Sequence, residues 1–284
     1  MTQPRKITQR RTSAPADDRR PLTTRSVVAS TLLGIDPPRL GTALLVRSGE
    51  LFGISGPTTR VALSRMVAAG ELEPDPGDDG SGSPGRPAGY RLAGPMLARQ
   101  ARQAASRSAE RRRWKGEWEM ALVVDGRRSA SDRADLRAAM ARLRLAEVRE
   151  GVWLRPDNLD ATRVADAAAI VADQCTRYTA RPDDEHPAEL AARLWPLDEW
   201  AATTAGLRAE MADLVEALES GDTAALARGF VLSAAVLRHL LADPLLPPEL
   251  LPPSWPGDDL RAEYDRYDRA FKSVWRDWFR QQDG

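Results

Sequence analysis

The sequence is poor in the residues that staple a fold or perform chemistry. Its 284 residues include one cysteine, Cys175, and two histidines, His186 and His239. A lone thiol closes no intramolecular disulfide and lacks partners for a structural zinc site, which fits a reducing compartment. Neither histidine stands in a Ser/His/Asp or HExxH arrangement. Long hydrophobic runs are missing too: the later apolar stretches are broken by Arg238 and Asp243, short of a bilayer span. The first residues carry Arg5, Lys6, Arg10 and Arg11 with no apolar run behind them, unlike a signal peptide. A cytoplasmic chain with no cofactor and no metal is therefore expected, and no internal repeat interrupts its pattern.

Net charge is also absent, but its distribution is uneven. Residues 1–113 hold 19 Lys and Arg against 10 Asp and Glu, a net of +9, which leaves −9 for the remainder of a neutral chain. A basic N-terminal part points to a polyanionic partner. The 42% hydrophobic and 29% charged residues are ordinary for globular proteins, and the length predicts two or three domains.

Residues 1–24 are polar and aperiodic, and read as a flexible basic arm. Val27, Val28, Leu32 and Leu33 repeat at helical spacing from Ser26, and Gly34 ends that helix. A second helix is expected from about Thr42, with Leu44, Leu45, Leu51 and Phe52 apolar, stopping at Gly53. Ser55 is placed as an N-cap, with Pro57 just inside a third helix that reaches Gly70. Leu72, a turn-rich segment over residues 74–89, and Tyr90, Arg91 and Leu92 then read as a two-stranded hairpin. Three short helices closed by such a hairpin form a winged helix. Residues 96–113, with Arg99, Arg102, Arg107, Arg111, Arg112 and Arg113, read as a basic connecting helix able to lie along phosphates.

Beyond Trp118 the pattern changes. A strand over Met120 to Val124, an amphipathic helix with Leu136, Met140, Leu143 and Leu145, a second strand over residues 150–154 and a third over residues 167–171 predict a small α+β domain. After Pro187 the chain is helical, its last apolar stripe being Leu260, Tyr264, Tyr267, Phe271, Val274, Trp275, Trp278 and Phe279. The prolines between Asp243 and Gly257 exclude a helix there. The final aromatic stripe is too apolar to stand exposed, which predicts a homodimer held by this region.

The third helix carries the functional expectation. Ala62, Leu63, Met66 and Val67 form a stripe that packs inward, leaving Thr58, Arg60, Val61, Ser64 and Arg65 outward. An arginine fork can take a guanine edge in the major groove, and Ser or Thr can reach bases or phosphate. The preceding turn offers Ser55 and backbone amides to a phosphate. The expected DNA-binding residues are Ser55, Thr58, Thr59, Arg60, Ser64, Arg65, Arg86 and Arg91. Asp75, Asp78 and Asp79 would repel phosphate, so only the return limb of the hairpin is expected near DNA.

The order and spacing of several segments resemble the phenylacetic-acid-degradation repressors, the PaaX-like regulators. These are Arg60-Val61-Ala62-Leu63-Ser64-Arg65-Met66 with Gly70 and Leu72, Gly85-Arg86 with Tyr90-Arg91-Leu92, and Trp114-Lys115-Gly116-Glu117-Trp118. Gly151-Val152-Trp153-Leu154-Arg155-Pro156, the run from Asp243 to Pro252, and Tyr264 with Tyr267-Asp268 and Phe271 complete the resemblance, which spans about residues 25–279. It implies an α+β multidomain fold. Residues 25–94 would be a winged helix-turn-helix, 95–113 a connecting helix, 114–183 a ferredoxin-like, Cas2-like domain, and 184–284 a helical dimerisation domain. It also implies a repressor of a catabolic operon that binds an inverted-repeat double-stranded DNA operator as a homodimer. Release would come from an aryl- or acyl-CoA such as phenylacetyl-CoA. Arg127, Arg128, Trp153 and Arg155 are the candidate effector-binding residues, combining phosphate-binding cations with an aromatic face.

Two other classes compete. A metal-dependent nuclease or hydrolase would use Asp125 at the end of the first middle-domain strand, but no second carboxylate or histidine is spaced to join it. A protein-interaction scaffold would use the acidic helical region and leave the third helix idle. The expectation is a regulator and not an enzyme.

Overall fold

The computed structural model describes residues 23–76, 88–124, 126 and 128–283. Among them are ten α-helices and two antiparallel sheets, an α+β chain. The chain divides into two compact units, residues 1–96 and 97–284.

The first unit begins with α1 (Thr24–Leu33), capped by the Thr23 side chain, which accepts from the Ser26 amide. It is followed by β1 (Arg39–Gly41), α2 (Thr42–Glu50) and α3 (Gly56–Ala68). Strands β2 (Leu72–Asp75) and β3 (Gly89–Leu92) pair antiparallel, Leu72 opposite Leu92. The expected hairpin gains a third strand: β1 pairs with the other side of β3, giving the order β1-β3-β2. That pairing needs glycine, since a Cβ on Gly89 would stand 2.6 Å from the Leu40 carbonyl oxygen. Val28, Leu32, Leu45, Leu63, Met66, Leu72 and Leu92 form the core.

In the second unit the succession is β4 (Trp118–Val123), α5 (Ala130–Arg142), β5 (Ala146–Arg149), β6 (Val152–Pro156), α6 (Ala165–Gln174) and β7 (Cys175–Ala180). The four strands are antiparallel in the order β5-β6-β4-β7. Residues 167–171, expected as a strand, lie in α6. Alanine favours the helix over five of its ten positions, and Ala167 and Val171, one turn apart, face the core. The strand of that region is β7, one step later. One sheet face packs on Leu136, Ala139, Met140 and Val171; Trp118 and Leu154 on the other pack against Leu190, Leu197, Leu246 and Leu250.

The remaining helices are α7 (Pro187–Leu194), α8 (Leu197–Glu219), α9 (Ala225–Leu241) and α10 (Gly257–Asp283). Between α9 and α10 the prolines leave only a 3-10 turn, Pro248–Leu250. The aromatic stripe of α10 is filled within the chain. Tyr264, Tyr267, Phe271 and Trp275 stack in succession at 5.5 to 6.4 Å, and α10 packs on α8 and α9. Thus the apolar face assigned to a second copy is already covered by this one.

The basic helix also differs from expectation. It is α4 (Gly94–Ser108), five residues shorter at its end than the 96–113 reading. Its arginines are partly committed: Arg107 donates to Asp265 at 2.5 Å and to Asp268 at 2.8 Å. Beyond its end, Arg111 reaches Asp258 at 3.0 Å, and Arg112 reaches Asp157 at 2.8 Å. Carboxylates of the second unit hold these cations. Among the described residues no helix is long and apolar enough to cross a membrane.

Candidate nucleic-acid interface

The geometry of α3 starts at Ser55, whose Oγ accepts from the Thr58 amide at 3.4 Å and lies 2.8 Å from Thr58 Oγ1. Pro57 sits in the first turn, where its missing amide hydrogen costs nothing. Thr59, Leu63 and Met66 point inward and are buried. On the opposite side Thr58, Arg60, Val61, Ser64 and Arg65 are exposed. Neither Arg60 nor Arg65 has an ion-pair partner among the described residues, so both forks are available to an external acceptor. Ser64 Oγ donates to the Arg60 carbonyl at 3.2 Å, a bond that a base or phosphate acceptor can replace.

Thr59 departs from the expected set. It is fully buried, its hydroxyl donates to the Ser55 carbonyl at 3.3 Å, and it stands where α2 and α3 approach closely: a Cβ on Gly49 would lie 2.6 Å from Thr59 Oγ1. Its role is packing. Arg91 is exposed and donates through Nε at 3.0 Å and NH2 at 2.8 Å to one oxygen of Glu73, its partner across the β2–β3 ladder. Arg86 lies outside the described residues, as does most of the acidic hairpin tip.

The far end of α3 is fixed by a contact that its sequence does not announce. Arg25 on α1 holds the nearly buried Glu71 with two donors, Nε reaching Oε2 at 2.9 Å. Hydrogen bonding to Arg25 holds the Glu71 carboxyl below its ordinary range, and the same bond raises Arg25. Glu71 follows Gly70, whose φ of +68° ends the helix in the left-handed region glycine favours.

Of the four candidate effector residues, three are described, and one of these, Arg155, is enclosed rather than open to a ligand. Arg155 is 2% exposed and committed, donating from Nε to Glu119 at 3.0 Å and from NH2 to the Leu159 carbonyl at 3.3 Å. A buried arginine with these acceptors is a structural group, not a free phosphate ligand. Trp153 is half-buried against the α5–α6 core. Arg128 is half-buried and donates to the Val124 carbonyl at 2.9 Å. Arg127 lies outside the described residues, together with Asp125.

Residues 195–281 match the family model described as the PaaX-like protein C-terminal domain. The chain is also similar to a solved structure entitled "Uncharacterized protein Rv0674 from Mycobacterium tuberculosis". The two share 40% identity over 89% of this chain and 97% of that one, with a TM-score of 0.66. The chain belongs to the PaaX-like family. No curated protein matches it.

Within the PaaX-like domain the buried polar groups are structural. Asp243 accepts from Arg261 at 2.7 Å, and Arg261 also donates to the Ser106 and Gly257 carbonyls at 3.1 and 2.9 Å. His239 stacks on Trp200 at 4.3 Å, with Nε2 lying 2.8 Å from Thr204 Oγ1; burial lowers its pKa. Burial likewise raises the Cys175 thiol, which opposes formation of a reactive thiolate. Among the described residues no group of three or more His, Cys, Asp or Glu side chains could hold a metal ion.

Proposed function

We propose that this PaaX-like protein is a DNA-binding transcriptional regulator that lays α3 in the major groove of its operator. The observation that carries the reading is the exposed face of α3, where Arg60 and Arg65 flank short polar side chains and have no ion-pair partner among the described residues. Residues 25–94 are then a winged helix-turn-helix, with β2 and β3 as the wing. Residues 95–113 connect it to a ferredoxin-like domain over 114–183, consistent with the strand order β5-β6-β4-β7, and 184–284 form the helical domain.

One helix brings three or four side chains to base edges. At about 1–3 kcal/mol for each base pair, that gives about 3–12 kcal/mol, which spans the about 4–10 kcal/mol of discrimination that operators require. A homodimer on an inverted repeat is assigned on the resemblance, joined elsewhere than on the aromatic face of α10. Repression of a catabolic operon and release by an aryl- or acyl-CoA are assigned on the resemblance. Among the expected effector residues, Arg127, Arg128 and Trp153 remain candidates.

The test is selection of bound duplexes from a randomised library with purified protein, followed by binding at several salt concentrations and with a panel of acyl-CoA thioesters. An inverted repeat, a steep salt dependence and weakening by one thioester are expected. Sequence-independent binding, or none, would overturn the operator-binding reading. A selected repeat unaffected by every thioester would remove only the effector.

A further inference from the structure

The exposed face of α3 has an aliphatic side chain at its centre. Val61 is 51% exposed, one of only four large hydrophobic side chains that the described residues leave in water. On a helical wheel it stands almost opposite the buried line of Thr59, Leu63 and Met66. Arg65 and Ser64 flank it one turn onward, Thr58 flanks it one turn back, and the exposed Pro57 and Ala68 lie nearly in line with it.

We propose that Val61 is a specificity-determining residue that reads the C5-methyl group of a thymine. The inference rests on the DNA-binding reading and names what the middle of the reading face recognises. The thymine methyl is the distinctive apolar group presented at base edges in the major groove, and apolar side chains recognise it by contact. Valine is well shaped for that contact, because β-branching holds its two methyl groups in essentially one rotamer on a helix. It lowers helix propensity, and with half its surface in water only part of that cost is offset by packing within the chain, which leaves its outer methyl surface open to an external partner. The neighbouring Arg65 provides a fork for a guanine edge about 6 Å further along the helix. Each half-site should therefore carry a thymine within about two base-pair steps of a guanine.

The experiment replaces each thymine of a selected operator by uracil, which removes the methyl group and keeps the hydrogen-bonding edge. With the full-length protein, one thymine per half-site should lose about fourfold in affinity on replacement, the worth of one buried methyl group. Val61→Ser, exposed and therefore expected to fold, should bind the thymine and uracil operators equally. If selective binding occurs but no position responds to uracil, or the response survives in Val61→Ser, the inference is overturned and DNA binding stands. If no duplex is bound selectively, the DNA-binding reading fails and takes the inference with it.

Discussion

Asp243 and Arg261 meet at 2.7 Å in the interior of the second unit, with Asp243 wholly buried and Arg261 nearly so. Asp243 opens the resemblance-bearing run after α9, where it also accepts the Leu245 amide at 2.9 Å and so shapes the proline-rich segment, while Arg261 reaches it from α10. Removing one member strands the other charge in the interior, at a cost of about 3–5 kcal/mol. Asp243→Ala should therefore lower the urea midpoint strongly, while Asp243→Ala combined with Arg261→Met should recover much of the loss. Equal loss in single and double variants would show that the packing of this segment, not the stranded charge, sets the cost.

Gly229 lies under the aromatic stack of α10. A Cβ there would stand 2.9 Å from Tyr267 Oη and 3.0 Å from Phe271 Cδ2, and Tyr267 already donates to the Gly229 carbonyl at 2.7 Å. Overpacking of about 1–3 kcal/mol should outweigh the gain of up to about 1 kcal/mol in helix propensity. Gly206→Ala, on α8 with nothing near its Cβ, should instead stabilise. Thermal melts of the two variants should shift in opposite directions.

His239 provides a pH signature. Burial against Trp200 depresses its folded-state pKa below the ordinary histidine value, so the unfolded chain binds the proton more readily. The stabilising contribution is fully present above the unfolded pKa of about 6.5 and is lost as pH falls through the lower folded value. Denaturant midpoints should therefore decline below about pH 6.5, and His239→Gln should flatten that part of the profile. An identical slope in the variant would assign it to other groups.

Much of α3 was legible because its punctuation is local: Ser55, Pro57 and Gly70 act within one turn of their own positions. Three elements were not. The three-residue β1 exists only because β3 supplies a partner, and its Arg-Leu-Gly carries no pattern. In α6 the β-formers Ile170 and Val171 fit the strand expected over residues 167–171, while the alanines around them favour the helix that forms. β7 is an edge strand with residues 176–179 exposed on both faces, so the alternation that reveals half-buried strands is missing. Side-chain commitments were equally hidden. Nothing near Arg155 or Thr59 in sequence indicates that Glu119 will hold the one or that Gly49 on α2 will approach the other.

On α3, Arg60→Ala and Arg65→Ala should leave the melting temperature unchanged, because both side chains point into solvent. Each should weaken operator binding by about 1–3 kcal/mol if the lost contact is to a base. Loss of a phosphate contact should also reduce the salt slope by about one. Wild-type affinity in both variants would detach α3 from the groove.

Glu73 and Arg91 form an exposed pair, each side chain more than half accessible, in which both guanidinium donors share one carboxylate oxygen. Such pairs contribute about 0–1 kcal/mol, so a phosphate can exchange for the carboxylate with little loss. Glu73 nevertheless competes for the fork and places a negative charge beside it. Glu73→Gln should therefore raise affinity for any duplex and steepen the dependence of log K on log salt by about one unit, as one more phosphate contact forms. Arg91→Ala should shift both quantities the other way and leave the ranking of operator sequences intact. If neither substitution moves the salt slope, the return strand of the hairpin lies away from the phosphates and α3 binds without it.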